Sequence, residues 1–305
     1  MLVAICIYFA LTTSHFASLD NVQAIIVQAS IILILAVGAT YVIVMGSIDL
    51  SVEGVMAAAA LTFALLVRNS VNHHSFGLLA VVAAVAVGLL MGAFSGAVHV
   101  LLRVPSFMVT LGTWFIGLGI ATVLFGSQQP QIMDSSILGW SQPGLLGLPL
   151  LTYIAIAVTL LAVLLGKYTK FGRYNYGIGG DESIVKLSGV NISRHKILVF
   201  VLAGGCSALA GVLTTVQLGN ASVDMSSGHL FITLSGVVVG GTLLSGGRGG
   251  VFHSVIGVFI LTTLGDGLIL AGVSPYWQGA IQGLIIVGAV LAASWPARAP
   301  LRVVK

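Results

Sequence analysis

The sequence has very little charge. Only 7% of its 305 residues are Asp, Glu, Lys or Arg, whereas 58% are hydrophobic. A soluble domain carries about 25% charged residues, so a large soluble core is excluded. The acidic residues number only eight and the basic residues twelve, so the position of each one is informative.

The sequence also lacks the motifs of catalytic and metal sites. It contains no G-x-x-x-x-G-K-[ST] phosphate loop and no H-E-x-x-H zinc motif, and its seven histidines are scattered. No Ser or Thr has an evident partner base, which an intramembrane hydrolase would need. Cys6 and Cys206 both lie in apolar runs, which argues against a disulfide framework. We therefore expect that this chain is not an enzyme and that it holds no metal or cofactor.

Long apolar runs are what the sequence does have. Runs close to the roughly 20 residues that cross a hydrocarbon layer recur along the whole chain. They predict an all-α protein, a polytopic transmembrane helical bundle of about ten spans forming one domain over residues 1–305. Met1–Thr13 lacks a basic start and a cleavage pattern, so we expect a first span, shortened at its start, and not a secretory signal. The predicted spans are 1–16, 22–45, 52–67, 76–101, 105–125, 149–166, 196–218, 229–245, 251–272 and 276–294.

The basic residues predict the orientation of these spans. If both termini are cytoplasmic, every Lys and Arg except Arg68 lies on the cytoplasmic side. This asymmetry follows the positive-inside rule. The residues on that side are Arg103, Lys167, Lys170, Arg173, Lys186, Arg194, Lys196, Arg248, Arg298, Arg302 and Lys305.

Glycines recur at four-residue spacing on several of the spans. Such faces let helix backbones approach closely in lipid. We expect them to serve packing within one bundle, with a seam between two copies of the chain as the alternative. The residues are Gly88, Gly92, Gly96, Gly236, Gly240, Gly279 and Gly283.

The longest polar segment, at about 167–196, lies on the basic side. Within it, "GGDESIVKLSG" predicts a short helix that Asp181 caps, that Glu182 stabilises through the helix dipole and that Gly189 ends. Its apolar side chains need something to dock into. The alternative is a loop helix that lies on the membrane surface.

Four stretches in this order resemble one known family over about residues 18–293. They are "GSIDLSVEGVMAAAA" (46–60), "TKFGRYNYGIGGDESIVKLSGV" (169–190), "VVVGGTLLSGGRGGVFHSVIGV" (237–258) and "GDGLILAGVSPYWQ" (265–278). The chain is similar to the membrane permeases of sugar ABC importers, in the ribose-type branch. The resemblance implies that the short helix inserts into a groove of a separate ATP-hydrolysing subunit. The implied coupling residues are Arg173, Gly180, Asp181, Glu182, Leu187 and Gly189.

The resemblance also implies the setting in which this chain works. Its partners would be cytoplasmic ABC ATPase subunits that carry ATP and Mg, a periplasmic or extracellular solute-binding protein, and a second permease copy or paralogue. It would lie in the bacterial cytoplasmic (inner) membrane, in contact with lipid and with no nucleic acid. The chain departs from the family's pattern at Ser47, Glu53, His253 and Asp266.

Acidic residues near or within the spans are candidates for the translocation path or its gate. Asp49 and Ser51 lie between the second and third spans, where water can reach, and Asp49 is expected to cap free N–H groups at 51–52; a direct sugar ligand is the alternative. Glu53 lies one turn further on, with Arg248 as a suggested partner. Asp266 lies deep in a span, where a path role and a hydrogen-bonded structural role stay open.

Two rival functions remain open. The first is a secondary transporter driven by ions or protons through Asp49, Glu53 or Asp266. That class is expected to carry paired acids and bases deep in several spans, whereas this chain has one deep acid and no deep base. The second is an ABC permease for a different solute, such as an amino acid or a nucleoside.

Overall fold

The computed structural model describes residues 1–294. Most of these residues are helical, and none of them forms a β-strand beyond isolated bridges. The basic residues Arg298, Arg302 and Lys305, which contributed to the predicted orientation, lie outside the described residues. The helices are α1 (Leu2–Thr12), α2 (Leu19–Val44), α3 (Val52–Leu66), α4 (Leu78–Leu101), α5 (Ser106–Phe125), α6 (Ser135–Leu138), α7 (Leu150–Tyr168), α8 (Lys170–Gly180), α9 (Glu182–Leu187), α10 (Ile192–Leu218), α11 (His229–Val239), α12 (Val251–Leu270) and α13 (Pro275–Ser294).

Each predicted span falls on one helix, but the helices differ in length. Among residues 1–294, the six helices α2, α4, α5, α7, α10 and α12 are long and apolar enough to cross a membrane. Helix α3 has 15 residues and α11 has 11. At about 1.5 Å per residue they extend about 22 Å and about 16 Å, short of the roughly 30 Å hydrocarbon layer. The predicted span 229–245 is too long because α11 ends at Val239. The total of about ten spans and the cytoplasmic termini stay predictions.

Helix α2 forms the centre of the bundle. It is apolar on all sides, and from Ala29 to Val44 nearly every side chain is buried, which is the behaviour of an internal helix. It packs against α7, α10, α11 and α12. Its polar side chains bond to these neighbours: the Tyr41 hydroxyl donates to the Ala162 carbonyl of α7 at 2.6 Å, and Thr40 Oγ1 lies 2.7 Å from Ser254 Oγ of α12.

Helices α4 and α10 pack with their backbones in contact. A Cβ atom added to Gly88 would lie 2.3 Å from the Gly204 carbonyl oxygen, so only glycine fits there. Gly92 and Gly96 of α4 face α10 in the same way, and Gly236 and Gly240 face α12. The expected packing within one bundle is confirmed for these five residues. Gly279 and Gly283, in contrast, have no described atom within 4 Å of an added Cβ.

The two ends of the bundle differ in character. Helices α8 and α9 lie at one end, which we call the basic end, together with the C-terminal ends of α2 and α7 and the start of α12. Residues 126–149 and 219–221 lie at the other end, which we call the opposite end. There Gln131 pairs with Asn220 in an isolated β-bridge, and Ile132 pairs with Asn69.

Candidate functional site

The segment between α2 and α3 enters the bundle in an extended conformation. The Ile48 N–H donates to Ser106 Oγ, and the Leu50 N–H donates to Thr110 Oγ1, both at 3.0 Å. Ser106 and Thr110 lie on successive turns of α5, so the segment runs along α5 away from the basic end. Gly54, in the first turn of α3, packs against the backbone of Trp114, eight residues into α5. Helix α3 therefore begins about 12 Å inside the bundle.

Asp49 lies on this extended segment and is only 3% exposed. The expectation that water reaches Asp49 at the end of the spans is wrong, because the segment turns inward along α5 and the carboxylate is buried. Its Oδ1 accepts hydrogen bonds from the Ser51 N–H at 2.8 Å and from the Ser51 hydroxyl at 2.6 Å. The capping role was expected for the N–H groups at 51–52, and it is confirmed only for Ser51, the residue that precedes α3. The two hydrogen bonds occupy one carboxylate oxygen and hold the start of α3 in place.

Glu53 joins two helix N-termini. It is 6% exposed, and its Oε1 accepts a hydrogen bond of 3.0 Å from the backbone N–H of Leu230, in the first turn of α11. Glu53 is itself in the first turn of α3. The first N–H groups of a helix have no intrahelical partner, and the helix dipole makes this end positive. The carboxylate therefore lies where the positive ends of two short helices meet.

The suggested pairing of Glu53 with Arg248 is wrong. Arg248 is exposed and follows the far end of α11, whereas Glu53 binds the near end. The two ends of α11 are about 16 Å apart. Glu53 and Arg248 were expected on the same side of the membrane, but α3 starts deep in the bundle and α11 runs from that depth to the basic end.

Other polar groups surround this meeting point. His229 is within electrostatic reach of Glu53, and its Nδ1 lies 3.1 Å from the Ser226 carbonyl oxygen. Thr233 Oγ1, one turn after Leu230, is buried and has no hydrogen-bond partner among residues 1–294. His229 and Thr233 were not predicted from the sequence. The available signal was the polar stretch "SVDMSSGH" at 222–229, which interrupts two apolar runs.

Asp266 lies apart from Glu53, at the opposite end of the bundle. It is 6% exposed, and its Oδ2 accepts a 2.9 Å hydrogen bond from Asn21 Nδ2 at the start of α2. The same amide also donates to the Phe16 carbonyl at 3.0 Å. Asp266 thereby ties α12 to α2 and to the linker after α1. This geometry fits the structural alternative, and a role in the path stays a prediction.

The predicted short helix in the polar loop is present as α9. Asp181 Oδ1 accepts from the N–H groups of Ser183 at 2.9 Å and Ile184 at 3.3 Å, so the predicted cap is confirmed. Gly189 has a positive φ of 76° and follows the helix end, as predicted. Glu182 forms a 2.7 Å salt bridge to Lys196 of α10, so α9 contacts the bundle at this point.

One side of α9 carries exposed apolar side chains. Leu187 is 89% exposed and Ile184 is also exposed, whereas Val185 packs inward against the main core. Gly180 is exposed just before the helix. Arg173 lies on α8, away from α9, and lines a cavity with Lys167. The predicted site residues thus lie in three places: the basic end, the buried meeting point of α3 and α11, and the opposite end.

Comparison with known proteins gives one consistent result. Residues 21–290 match the family model described as branched-chain amino acid transport system / permease component. The chain is 34% identical over 298 residues to the ribose import permease protein RbsC of Escherichia coli K12, covering 95% of this chain and 91% of that one. It is 35% identical over 292 residues to the probable ABC transporter permease protein YphD of the same organism, covering 93% and 84%. It is 32% identical over 290 residues to the galactose/methyl galactoside import permease protein MglC of Salmonella typhimurium, covering 90% and 86%.

Proposed function

Since the chain belongs to the family of permease components of the branched-chain amino acid transport system, we propose that it is the transmembrane subunit of an ATP-driven sugar importer. Permease components of this family are multi-pass proteins of the bacterial inner membrane and are not enzymes themselves. The relatives over nearly the full chain include permeases named for ribose and galactose. A sugar is therefore favoured over an amino acid, despite the description of the family.

Energy enters through the exposed apolar side of α9. Leu187 and Ile184 have no covering surface within the described chain, although Val185 and the Glu182–Lys196 salt bridge contact the bundle. A helix with an unpartnered apolar side suits a groove on another protein. We assign that groove to the cytoplasmic ATPase, whose closure on ATP would push or pull α9 and with it α8 and α10. This exposed side is the observation that carries the proposal.

The solute path is assigned to the region where α3 and α11 begin. Short helices that start inside a membrane bundle expose N–H groups at the depth where transporters bind their substrates. Sugar recognition needs fixed donors and acceptors facing the solute, often with an aromatic group. Glu53, Thr233 and His229 supply such polar groups. A shift of α3 relative to α11 would open the Glu53–Leu230 bond and free both partners for the solute.

The test is reconstitution in proteoliposomes with an ABC ATPase and a solute-binding protein of the same type of importer. Ribose and galactose uptake would be measured with and without ATP. We expect ATP-dependent uptake that Leu187→Asp abolishes, because a carboxylate cannot enter an apolar groove without a large desolvation cost. The matched control is Leu146→Asp, which changes a leucine at the opposite end that is 77% exposed, against 89% for Leu187. It should leave coupling intact.

Two results would contradict the proposal. Solute accumulation by this chain alone, without an ATPase, would indicate a secondary transporter. Normal ATP-driven uptake by the Leu187→Asp variant would show that α9 does not transmit the force.

A further inference from the structure

A cavity of about 520 Å³ opens at the basic end of the bundle, away from the α3–α11 meeting point. Its walls come from the C-terminal ends of α2 and α7, from α8, and from the first residues of α12. The hydroxyl of Tyr176, which lines it, already donates to the Gly249 carbonyl at 2.9 Å. The groups that stay available to a ligand are therefore mainly cationic.

Three basic side chains line this cavity: Lys167 on α7, Arg173 on α8 and His253 on α12. None of the described residues that line it is acidic. All eight acidic residues of the chain lie within residues 1–294. The salt bridge found there joins Lys196 to Glu182, and neither of these residues lines the cavity. Lys167 and Arg173 thus line the cavity without a carboxylate partner, while Lys167 Nζ also lies 5.3 Å from the centroid of the Tyr168 ring. The cavity therefore complements an anion.

The start of α12 adds to this positive charge. Within residues 1–294, the backbone N–H groups of Val251, Phe252 and His253 have no hydrogen-bond partner, while the Gly250 N–H donates to Thr242 Oγ1 at 3.2 Å. These groups lie at the positive end of a 20-residue helix. A phosphate oxygen beside them could accept two or three hydrogen bonds in addition to the ion pairs with the side chains.

The surface that leads away from the cavity toward the bilayer centre is apolar. On α7, Leu160 and Ile156 continue outward from Lys167 on the same side of the helix and are exposed. On α12, Phe252 and Ile256 do the same, one turn apart. A small soluble anion has no use for such a surface, whereas lipid acyl chains would cover it.

We propose that this cavity binds the phosphate headgroup of an anionic phospholipid of the cytoplasmic leaflet, with the acyl chains lying along α7 and α12. The cytoplasmic leaflet is negative, and basic pockets between transmembrane helices bind anionic headgroups there. The proposal rests on the orientation that the positive-inside pattern predicts. It also gives a role to His253, which departs from the family's pattern and is not part of the solute path or of α9.

The experiment is native mass spectrometry of the purified full-length chain, titrated with phosphatidylglycerol and, separately, with phosphatidylcholine. We expect one or more phosphatidylglycerol molecules to remain bound where phosphatidylcholine dissociates. A Lys or Arg near an anionic surface contributes roughly a fivefold change in affinity, so Lys167→Gln and Arg173→Gln should each weaken retention about fivefold. The matched control is Lys170→Gln, an exposed cation at the start of α8 that does not line the cavity. It should retain the lipid as the wild type does.

Inorganic phosphate and glycerol 3-phosphate form the second arm. A soluble phosphate that binds as tightly as phosphatidylglycerol, with the same loss in the two variants, would indicate a soluble ligand and refute the lipid. Equal retention of the two lipids, or equal retention by wild type, Lys167→Gln and Arg173→Gln, would also overturn the proposal. The lipid titration does not depend on transport. A negative result in it would therefore not affect the assignment as a sugar permease, and a negative result in the uptake assay would not affect the proposed lipid binding.

Discussion

Replacement of Glu53 by Ala tests the junction between α3 and α11. The change leaves the buried Leu230 N–H without its acceptor at 3.0 Å, and an unpaired buried donor costs about 1–3 kcal/mol. It also removes an anion from the positive ends of two helices, each worth about 0.3–1 kcal/mol. Relief of the desolvation of the carboxylate offsets part of this loss. The loss of the anion and the relief of carboxylate desolvation nearly cancel. We therefore expect a net destabilisation of about 2 kcal/mol, which comes from the unpaired N–H of Leu230.

The assay is thermal unfolding of the purified protein in detergent. For a chain of this size, about 2 kcal/mol corresponds to a Tm lower by roughly 4 °C. Glu53→Gln keeps an oxygen acceptor and should lose about half as much, since hydrogen bonds to charged groups are about twice as strong as neutral ones. The control is Glu182→Ala, which removes an exposed salt bridge to Lys196 and should cost less than about 1 kcal/mol.

A double-mutant cycle isolates the bond from other effects. Leu230→Pro removes the donor at the second residue of α11, although it also removes a buried leucine side chain and restricts the backbone of His229. If the bond exists, the double variant Glu53→Ala/Leu230→Pro should be destabilised by less than the sum of the single variants. Strict additivity, or a Glu53→Ala variant as stable as Glu182→Ala, would refute the reasoning.

Two further changes test the packing and the second buried acid. Gly54→Ala would place a Cβ 2.2 Å from the Trp114 carbonyl oxygen and should destabilise the protein by about 1–3 kcal/mol in the same melting assay. Gly112→Ala on α5, where an added Cβ meets nothing within 4 Å, should not lower the Tm, and equal effects of the two would contradict the close contact between α3 and α5. Asp266→Asn should keep the hydrogen bond to Asn21 and cost about 1 kcal/mol. Sugar uptake that stays fully intact in this variant would exclude its charge from the mechanism, whereas lost uptake with an unchanged Tm would place Asp266 on the path.

Features that depend on neighbouring residues in the chain were predictable. The apolar runs located the helices, because a long apolar segment in lipid must satisfy its own backbone hydrogen bonds. Asp181 and Gly189 bounded α9 correctly, since a cap acts within a few residues of itself. The resemblance in four ordered stretches led to the family that the comparisons then showed. In each case the signal and the structure lie within one short segment.

Features that depend on depth were not predictable. Asp49 was expected to be accessible and is buried, and Glu53 was expected near Arg248 and instead binds Leu230, 177 residues further along the chain. An apolar run of about 15 residues looks the same whether its helix starts at the membrane surface or about 12 Å inside the bundle. Only the packing of Gly54 against Trp114 decides between these depths.

The sequence by itself determined that this chain is a helical membrane protein, which residues form its helices, and which loop carries the short helix α9. Those properties follow from hydrophobicity and from local backbone chemistry. The tertiary structure alone decided that α3 and α11 meet at Glu53, that Asp266 ties α12 to α2, and that Lys167, Arg173 and His253 share one cavity. These arrangements join residues that are distant in the chain, and close packing of helix faces brings them together.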